Sequence, residues 1–204
     1  MKKTNDTHVH ENEIFMCETK VGHEIPDFSF DIFHRDAVKR VSLSKYRGKW
    51  LILFFYPADF TFVCPTELAE MADHYKAFAK SGAEVISVST DTVYTHKAWH
   101  DSSESIKKID FPMAADPTGD LCRIFGTYIE AEGISLRGSF IIDPQGILRS
   151  IEINDNSIGR SSKELVRRLQ AAQYVAKHGD KVCPASWEPG METLKPGMDL
   201  VGKI

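Results

Sequence analysis

Continuous apolar runs along this chain alternate with stretches whose apolar positions recur at helical spacing. The longest run, Trp50-Leu51-Ile52-Leu53-Phe54-Phe55-Tyr56, lies between Gly48 and Pro57. It offers no polar position to water, so it predicts a strand buried on both faces, as in a central parallel sheet. Residues 83–88 read as a second buried strand and 111–115 as a short third. The alternation Phe28-Ser29-Phe30 predicts a strand within residues 27–33, and Val41-Ser42-Leu43 leads into a turn-rich connection ending at Lys49. Residues 138–142 and 146–153 are two further strands around the turn signal Asp143-Pro144-Gln145-Gly146.

Between these runs the period changes. After Pro57 a loop leads to a helix beginning near residues 62–65. Leu68, Met71, Tyr75 and Phe78 form its apolar face, and Ser81-Gly82 stops it. A second helix is predicted over residues 92–108, and a short one follows Asp116-Pro117-Thr118-Gly119 as far as Phe125. A last helix spans 161–177, with Ser161 or Ser162 as N-cap and Leu165, Leu169, Ala172 and Val175 on one face. Strands interleaved with helices, then a hairpin, predict an α/β domain with a mixed central sheet flanked by helices. The organisation is a lead segment at 1–20, a domain at 21–178, and a Gly- and Pro-rich C-terminal extension at 179–204 that holds Cys183, Trp187 and Met191.

Composition narrows the functions. The 204 residues are 42% apolar and 26% charged with a net charge of −4, which suits a globular protein and gives no basic excess for nucleic acid. No apolar segment is long enough to span a bilayer, and none follows Lys2 and Lys3 to make a signal peptide. A cytoplasmic protein with no nucleic-acid or membrane partner is expected, and the sequon Asn5-Asp6-Thr7 reads as chance.

The four cysteines at 17, 64, 122 and 183 form no C-x-x-C pair and have no zinc-ligand spacing. In a reducing compartment they are buried bystanders or reactive thiols. Cys64 opens a helix, where unpaired N–H groups and the dipole favour thiolate, and Pro65 suits that first turn. A fall in thiol pKa from about 8.5 to about 6 raises the thiolate fraction at pH 7 only about 30-fold. Faster chemistry needs substrate polarised and positioned, for which Thr61 and an arginine are the candidate groups. Which arginine is open from composition alone.

Pro57, Thr61 and Cys64 match the P-x-x-x-T-x-x-C signature of peroxiredoxins. The likeness extends through Val63-Cys64-Pro65-Thr66-Glu67, Arg137-Gly138-Ser139-Phe140-Ile141-Ile142-Asp143-Pro144, Val182-Cys183-Pro184-Ala185 and the closing Asp199-Leu200-Val201-Gly202-Lys203-Ile204. The chain resembles the typical two-cysteine type, in the bacterial alkyl hydroperoxide reductase C branch. That resemblance implies a thioredoxin-like fold and a thiol peroxidase acting on hydroperoxides. It implies Cys64 as the peroxidatic cysteine, Thr61 and Arg137 as its activating and peroxide-binding partners, Pro57 as a shield and Glu67 as an orienter of the arginines. Cys183 becomes the resolving cysteine, supplied by the second chain of a homodimer that assembles into a decamer. Thiolate attack, sulfenic acid formation and disulfide exchange need no cofactor. Electrons would come from a flavoprotein disulfide reductase or thioredoxin, because this chain has no G-x-G-x-x-G loop of its own.

Other readings compete. A ring-forming holdase chaperone is the alternative from another class. A general thiol–disulfide oxidoreductase is disfavoured, since Thr61 stands where C-x-x-C would put its first cysteine. Cys17 and Cys122 are expected to be bystanders. His96 and His100, four apart, read as polar residues of a surface helix rather than a metal pair, with His8 and His10 weaker still. Lys163, Glu164, Arg167 and Arg168 read as a solvated face, and Trp187 as an anchor for the segment around Cys183. The G-G-L-G insertion and C-terminal Tyr-Phe pair of easily over-oxidised relatives are absent, which implies intermediate-to-high resistance to over-oxidation.

Overall fold

Described over residues 19–203, the computed structural model begins with a hairpin of strands β1 (Ser29–His34) and β2 (Ala37–Ser42). Its turn holds Arg35 and Asp36 at φ 50° and 57°, the left-handed geometry that two-residue hairpin turns use. There follow β3 (Trp50–Phe55), α1 (Cys64–Lys80), β4 (Ala83–Ser89), α2 (Val93–Ser102), β5 (Met113–Ala115) and α3 (Asp120–Ile124). Two-residue strands β6 (Tyr128–Ile129) and β7 (Ile134–Ser135) precede β8 (Arg137–Ile142), β9 (Leu148–Asn154) and α4 (Ser162–Lys177). The lead segment with His8, His10 and Cys17, and the sequon, lie outside the described residues.

Among the described residues a seven-stranded sheet runs in the order β2-β1-β5-β4-β3-β8-β9. The β3–β4 and β4–β5 pairs are parallel and the others antiparallel, which makes the expected mixed sheet. Side chains alternate across a strand. Ile52 and Phe54, with Tyr56 beyond the strand end, therefore pack with Leu68, Met71 and Phe78 of α1, Trp99 of α2, and Leu165 and Leu169 of α4. Leu51, Leu53 and Phe55 pack on the opposite face with Leu121 and Cys122 of α3, Phe125 and Phe140. Each such side chain contributes about 1.5–3 kcal/mol on burial, against about 1–2 kcal/mol to order its backbone. This double burial is what fixes β3 at the centre.

Several elements differ from their sequence readings. The helix expected over 92–108 ends at Ser102, where the Ser102 hydroxyl donates to the Ala98 carbonyl at 2.7 Å; a 3-10 turn, Ile106–Lys108, then stands alone. β2 emerges as an edge strand with mostly exposed side chains, and β6 and β7 are too short to carry a period. Ser161 caps α4 by accepting from the Glu164 N–H, but Val175 on the expected apolar face is exposed. Among the described residues no helix is long and apolar enough to cross a membrane.

Candidate active site

β3 gives way to a loop at Tyr56-Pro57, and α1 begins at Cys64 with Pro65 in its first turn. The loop is tight. The Thr61 hydroxyl donates to the Ala58 carbonyl at 2.8 Å, and Phe60 takes a left-handed φ of 55°. For a bulky residue that conformation costs about 1–3 kcal/mol, so its surroundings must hold it. Pro57 is buried, Thr61 is half-buried, and Cys64 is fully buried.

Strand pairing brings an arginine to the sulfur. β3 pairs with β8 from Leu51↔Ile142 to Phe55↔Gly138, so Arg137 lies beside the start of the loop. Its guanidinium donates to Cys64 Sγ at 3.4 Å and to Glu67 Oε2 at 2.7 Å. Two further N–H groups reach the Asn156 carbonyl at 3.0 and 2.8 Å. Glu67 stands three residues after Cys64, on the same face of α1. A Cβ at Gly138 would meet Thr127 at 2.7 Å and Phe140 at 2.8 Å, so the strand behind Arg137 needs glycine.

Sequence reasoning missed Arg160. Its side chain grips Glu67 at 2.9 and 3.1 Å, and its backbone N–H donates to the same carboxylate at 2.8 Å. It also donates to the Gly138 carbonyl and the Ser139 hydroxyl, with its guanidinium 3.5 Å from the centre of the Phe54 ring. Burial acts to raise the Glu67 pKa. The hydrogen bonds and charge of Arg160, with a smaller contribution from Arg137, outweigh it and hold the carboxyl below its ordinary value. One carboxylate thus fixes two buried guanidiniums, one of which touches the sulfur.

The His96–His100 expectation is corrected. His96 is fully buried rather than on a surface face. Its Nδ1 lies 2.8 Å from Asp59 Oδ2 and its Nε2 3.1 Å from the Ala114 carbonyl oxygen. Asp59 Oδ1 accepts from the Tyr56 hydroxyl at 2.7 Å. An apolar-to-polar period places a histidine on a helix but cannot tell a solvated one from one paired inside. No group of three metal-ligating side chains occurs among the described residues.

Cys183 is held elsewhere. Its Sγ approaches the Ala171 carbonyl of α4 at 3.9 Å, and partial burial raises its pKa, with the Arg167 charge acting against that. Trp187 anchors this tail as expected. It is buried, lies 4.9 Å from the Tyr174 ring, and its carbonyl accepts from Arg167 at 2.8 Å. The face read as solvated is therefore structural in part. Arg167 pairs with Glu164 as well as the tail, while Arg168 pairs with Glu152. Cys122 is buried in α3, and burial beside Asp116 pushes its thiol far above the ordinary range, away from thiolate. Cys64, Cys122 and Cys183 are all unpaired thiols. Of the expected site residues, Arg137 bonds both Cys64 and Glu67, Pro57 and Thr61 are in the loop leading to Cys64, and Cys183 is hydrogen-bonded to α4.

Residues 21–151 match the AhpC/TSA family, and residues 171–201 match the C-terminal domain of 1-Cys peroxiredoxin. The chain is 50% identical over 184 residues to alkyl hydroperoxide reductase C of Salmonella typhimurium, covering 90% of this chain and 98% of that protein. The Escherichia coli K12 protein of the same name matches to the same extent. Among solved structures, Enterococcus faecalis AhpC superposes with a TM-score of 0.78 at 53% identity, covering 80% of this chain and 98% of that one. The reduced 2-Cys peroxiredoxin of Plasmodium vivax gives 0.84 at 33% identity, covering 88% and 94%.

Proposed function

Because the chain belongs to the AhpC/TSA family, as a typical two-cysteine peroxiredoxin of the alkyl hydroperoxide reductase C branch that reduces hydroperoxides, we propose that Cys64 is the atom that attacks the peroxide. The observation that carries this is the Arg137 guanidinium 3.4 Å from Cys64 Sγ, itself fixed by Glu67. Positive charge at that distance in a buried site stabilises both an anionic sulfur and the oxygen leaving it.

The steps follow from the atoms. The Cys64 thiolate attacks one peroxide oxygen, an S–O bond forms and the O–O bond breaks. The departing oxygen leaves as water or alcohol after taking a proton, and sulfur, oxidised by two electrons, becomes a sulfenic acid. Arg137 steadies the charge on the departing oxygen. Thr61 already donates to Ala58, so its lone pairs are free to accept the peroxide's O–H and aim it. Pro57, buried beside them, keeps water out. Cys183 then condenses with the sulfenic acid, releasing water and forming a disulfide. Cys64 Sγ is fully buried and Cys183 sits on α4, so this step requires the loop to move.

The rest of the reading is a homodimer, built into a decamer, in which the resolving Cys183 comes from the second chain. The 179–204 tail carries that thiol, and a flavoprotein disulfide reductase or thioredoxin in the cytoplasm returns the disulfide to thiols by exchange. Peroxide consumption driven by an excess of external dithiol tests the core of it. Replacing Arg137 with glutamine is expected to lower the rate constant for peroxide about 100- to 1000-fold, the usual effect of removing one donor from a developing oxyanion. A loss under threefold would remove Arg137 from the chemistry. With no small-molecule thiol present, the Cys183→Ser variant is expected to react once with peroxide and to hold Cys64 as the sulfenic acid. A disulfide at Cys64 in that variant would assign resolution to another thiol.

A further inference from the structure

The Tyr56–Asp59–His96 cluster lies outside the Cys64–Arg137–Glu67 contacts, yet it grips the loop that carries Thr61 and leads to Cys64. Asp59 and His96 side chains are both fully buried. Three elements meet at this point. Tyr56 directly follows β3, His96 comes from α2, and the Ala114 carbonyl from β5. The Asp59 N–H adds a bond to Asp91 at 2.8 Å, and Phe60 beside it lays its ring 5.9 Å from Trp99, three residues after His96 on α2.

Proton counting gives this cluster a property the loop's other contacts lack. The Ala114 carbonyl can only accept, so Nε2 of His96 carries a hydrogen. Nδ1 and Asp59 Oδ2, 2.8 Å apart, need one more hydrogen between them, whichever atom it belongs to. Without it, two lone pairs would face each other away from water, which burial makes costly. The Tyr56 hydroxyl supplies its own hydrogen to Oδ1. Burial raises the Asp59 pKa, and the negative charge of Asp91, which is bonded to Ser89, acts in the same direction, so both favour keeping the shared proton. The other charged groups of α2 are engaged outside, Lys97 with Asp36 and Asp101, and His100 beside Asp101.

We propose that Asp59 and His96 are positioning residues for the peroxide reaction, sharing one buried proton that locks the loop from Pro57 to Val63 closed, so that opening the loop above neutral pH releases that proton. This rests on the reading of Cys64 as the reactive thiol. Once the loop lifts, Asp59 is a solvated carboxylate, and an imidazole without a carboxylate partner is neutral above about pH 6.5. The closed form then holds one proton more than the open form. Closure weakens as pH rises, and the opening constant grows about tenfold per pH unit. The lock therefore favours the peroxide-ready loop at lower pH and the mobile loop at higher pH.

Asparagine at position 59 separates the proton from the hydrogen bonds. Its oxygen accepts from Tyr56 and its amide donates to neutral His96, so the contacts remain without a shared proton. The test is hydrogen exchange of the peptide spanning residues 58–63 between about pH 7 and 9, corrected for the intrinsic pH dependence of exchange. It is run on the full chain with Cys64→Ser, which leaves no thiol at that position. Protection is expected to fall about tenfold per pH unit with Asp59 and to stay flat with Asp59→Asn. A flat profile with Asp59, or the same slope in both, overturns the proposal. With Cys64 restored, His96→Leu is expected to slow the peroxide reaction at least about tenfold at pH 7, and an unchanged rate would also overturn it. Should His96→Leu fail to fold, the Asp59→Asn comparison decides alone. A wild-type Cys64 inert to peroxide, alongside the expected exchange profiles, would instead sink the reading that the proposal rests on.

Discussion

Serine at position 64 is expected to lower the rate of hydroperoxide reduction by about a thousandfold or more, to the background of the external thiols. The expectation rests on the atom. A serine hydroxyl remains protonated at pH 7 and has no counterpart to the sulfenic acid, so Arg137 at 3.4 Å finds no nucleophile to assist. The fold should tolerate the change, because serine differs from cysteine by one atom in a site that already offers a hydrogen bond from Arg137. Stability should move by no more than about 1.5 kcal/mol. Peroxide consumption measured on folded variant protein checks both parts. Retention of a tenth of the wild-type rate would mean that another thiol does the chemistry, and Cys183 would be the next to replace.

Removing the Glu67 carboxylate is expected to be the most damaging single change for stability. Alanine there leaves the Arg137 and Arg160 guanidiniums, with side chains 4% and 1% exposed, without their shared counter-charge. Breaking a buried pair from one side costs about 3–5 kcal/mol, a large share of a domain's total stability. Burial would raise the Glu67 pKa, and Arg160 more than reverses it, so the folded carboxyl titrates below its unfolded value of 4.5. A depressed folded value means the stabilisation is complete above about pH 4.5 and fades as pH falls through the folded value. The gap between wild type and Glu67→Ala should therefore be full at pH 7 and shrink under acid. Denaturant unfolding across that range measures it. A difference below about 1 kcal/mol at pH 7 would show that solvent reaches the arginines.

What can be read before folding follows from how local each signal is. Pro57 and Thr61 lie in the loop that ends at Cys64, so the spacing that carries the resemblance is a local signal. The double-sided burial of β3 is visible in its unbroken apolar run. Trp187 in a polar tail announces an anchor. Arg160 leaves no such mark, because its meaning comes from Glu67, 93 residues away in sequence and beside it only once α4 packs on α1. His96 misleads for a related reason. Its burial depends on a carboxylate from the loop before α1 and a carbonyl from β5, neither of which the helical period of α2 can report. The period also overstates the length of α2, because the backbone turns extended at Ser103.

In the proposed cycle Cys64 attacks peroxide and Cys183 of a second chain resolves it. Mass mapping of cysteine linkages after one equivalent of hydrogen peroxide, compared with the reduced protein, tests this most directly. The expected result is a Cys64–Cys183 disulfide joining two chains, with Cys122 left as a thiol. An unreacted Cys64, or a Cys64 linked within its own chain, would contradict it.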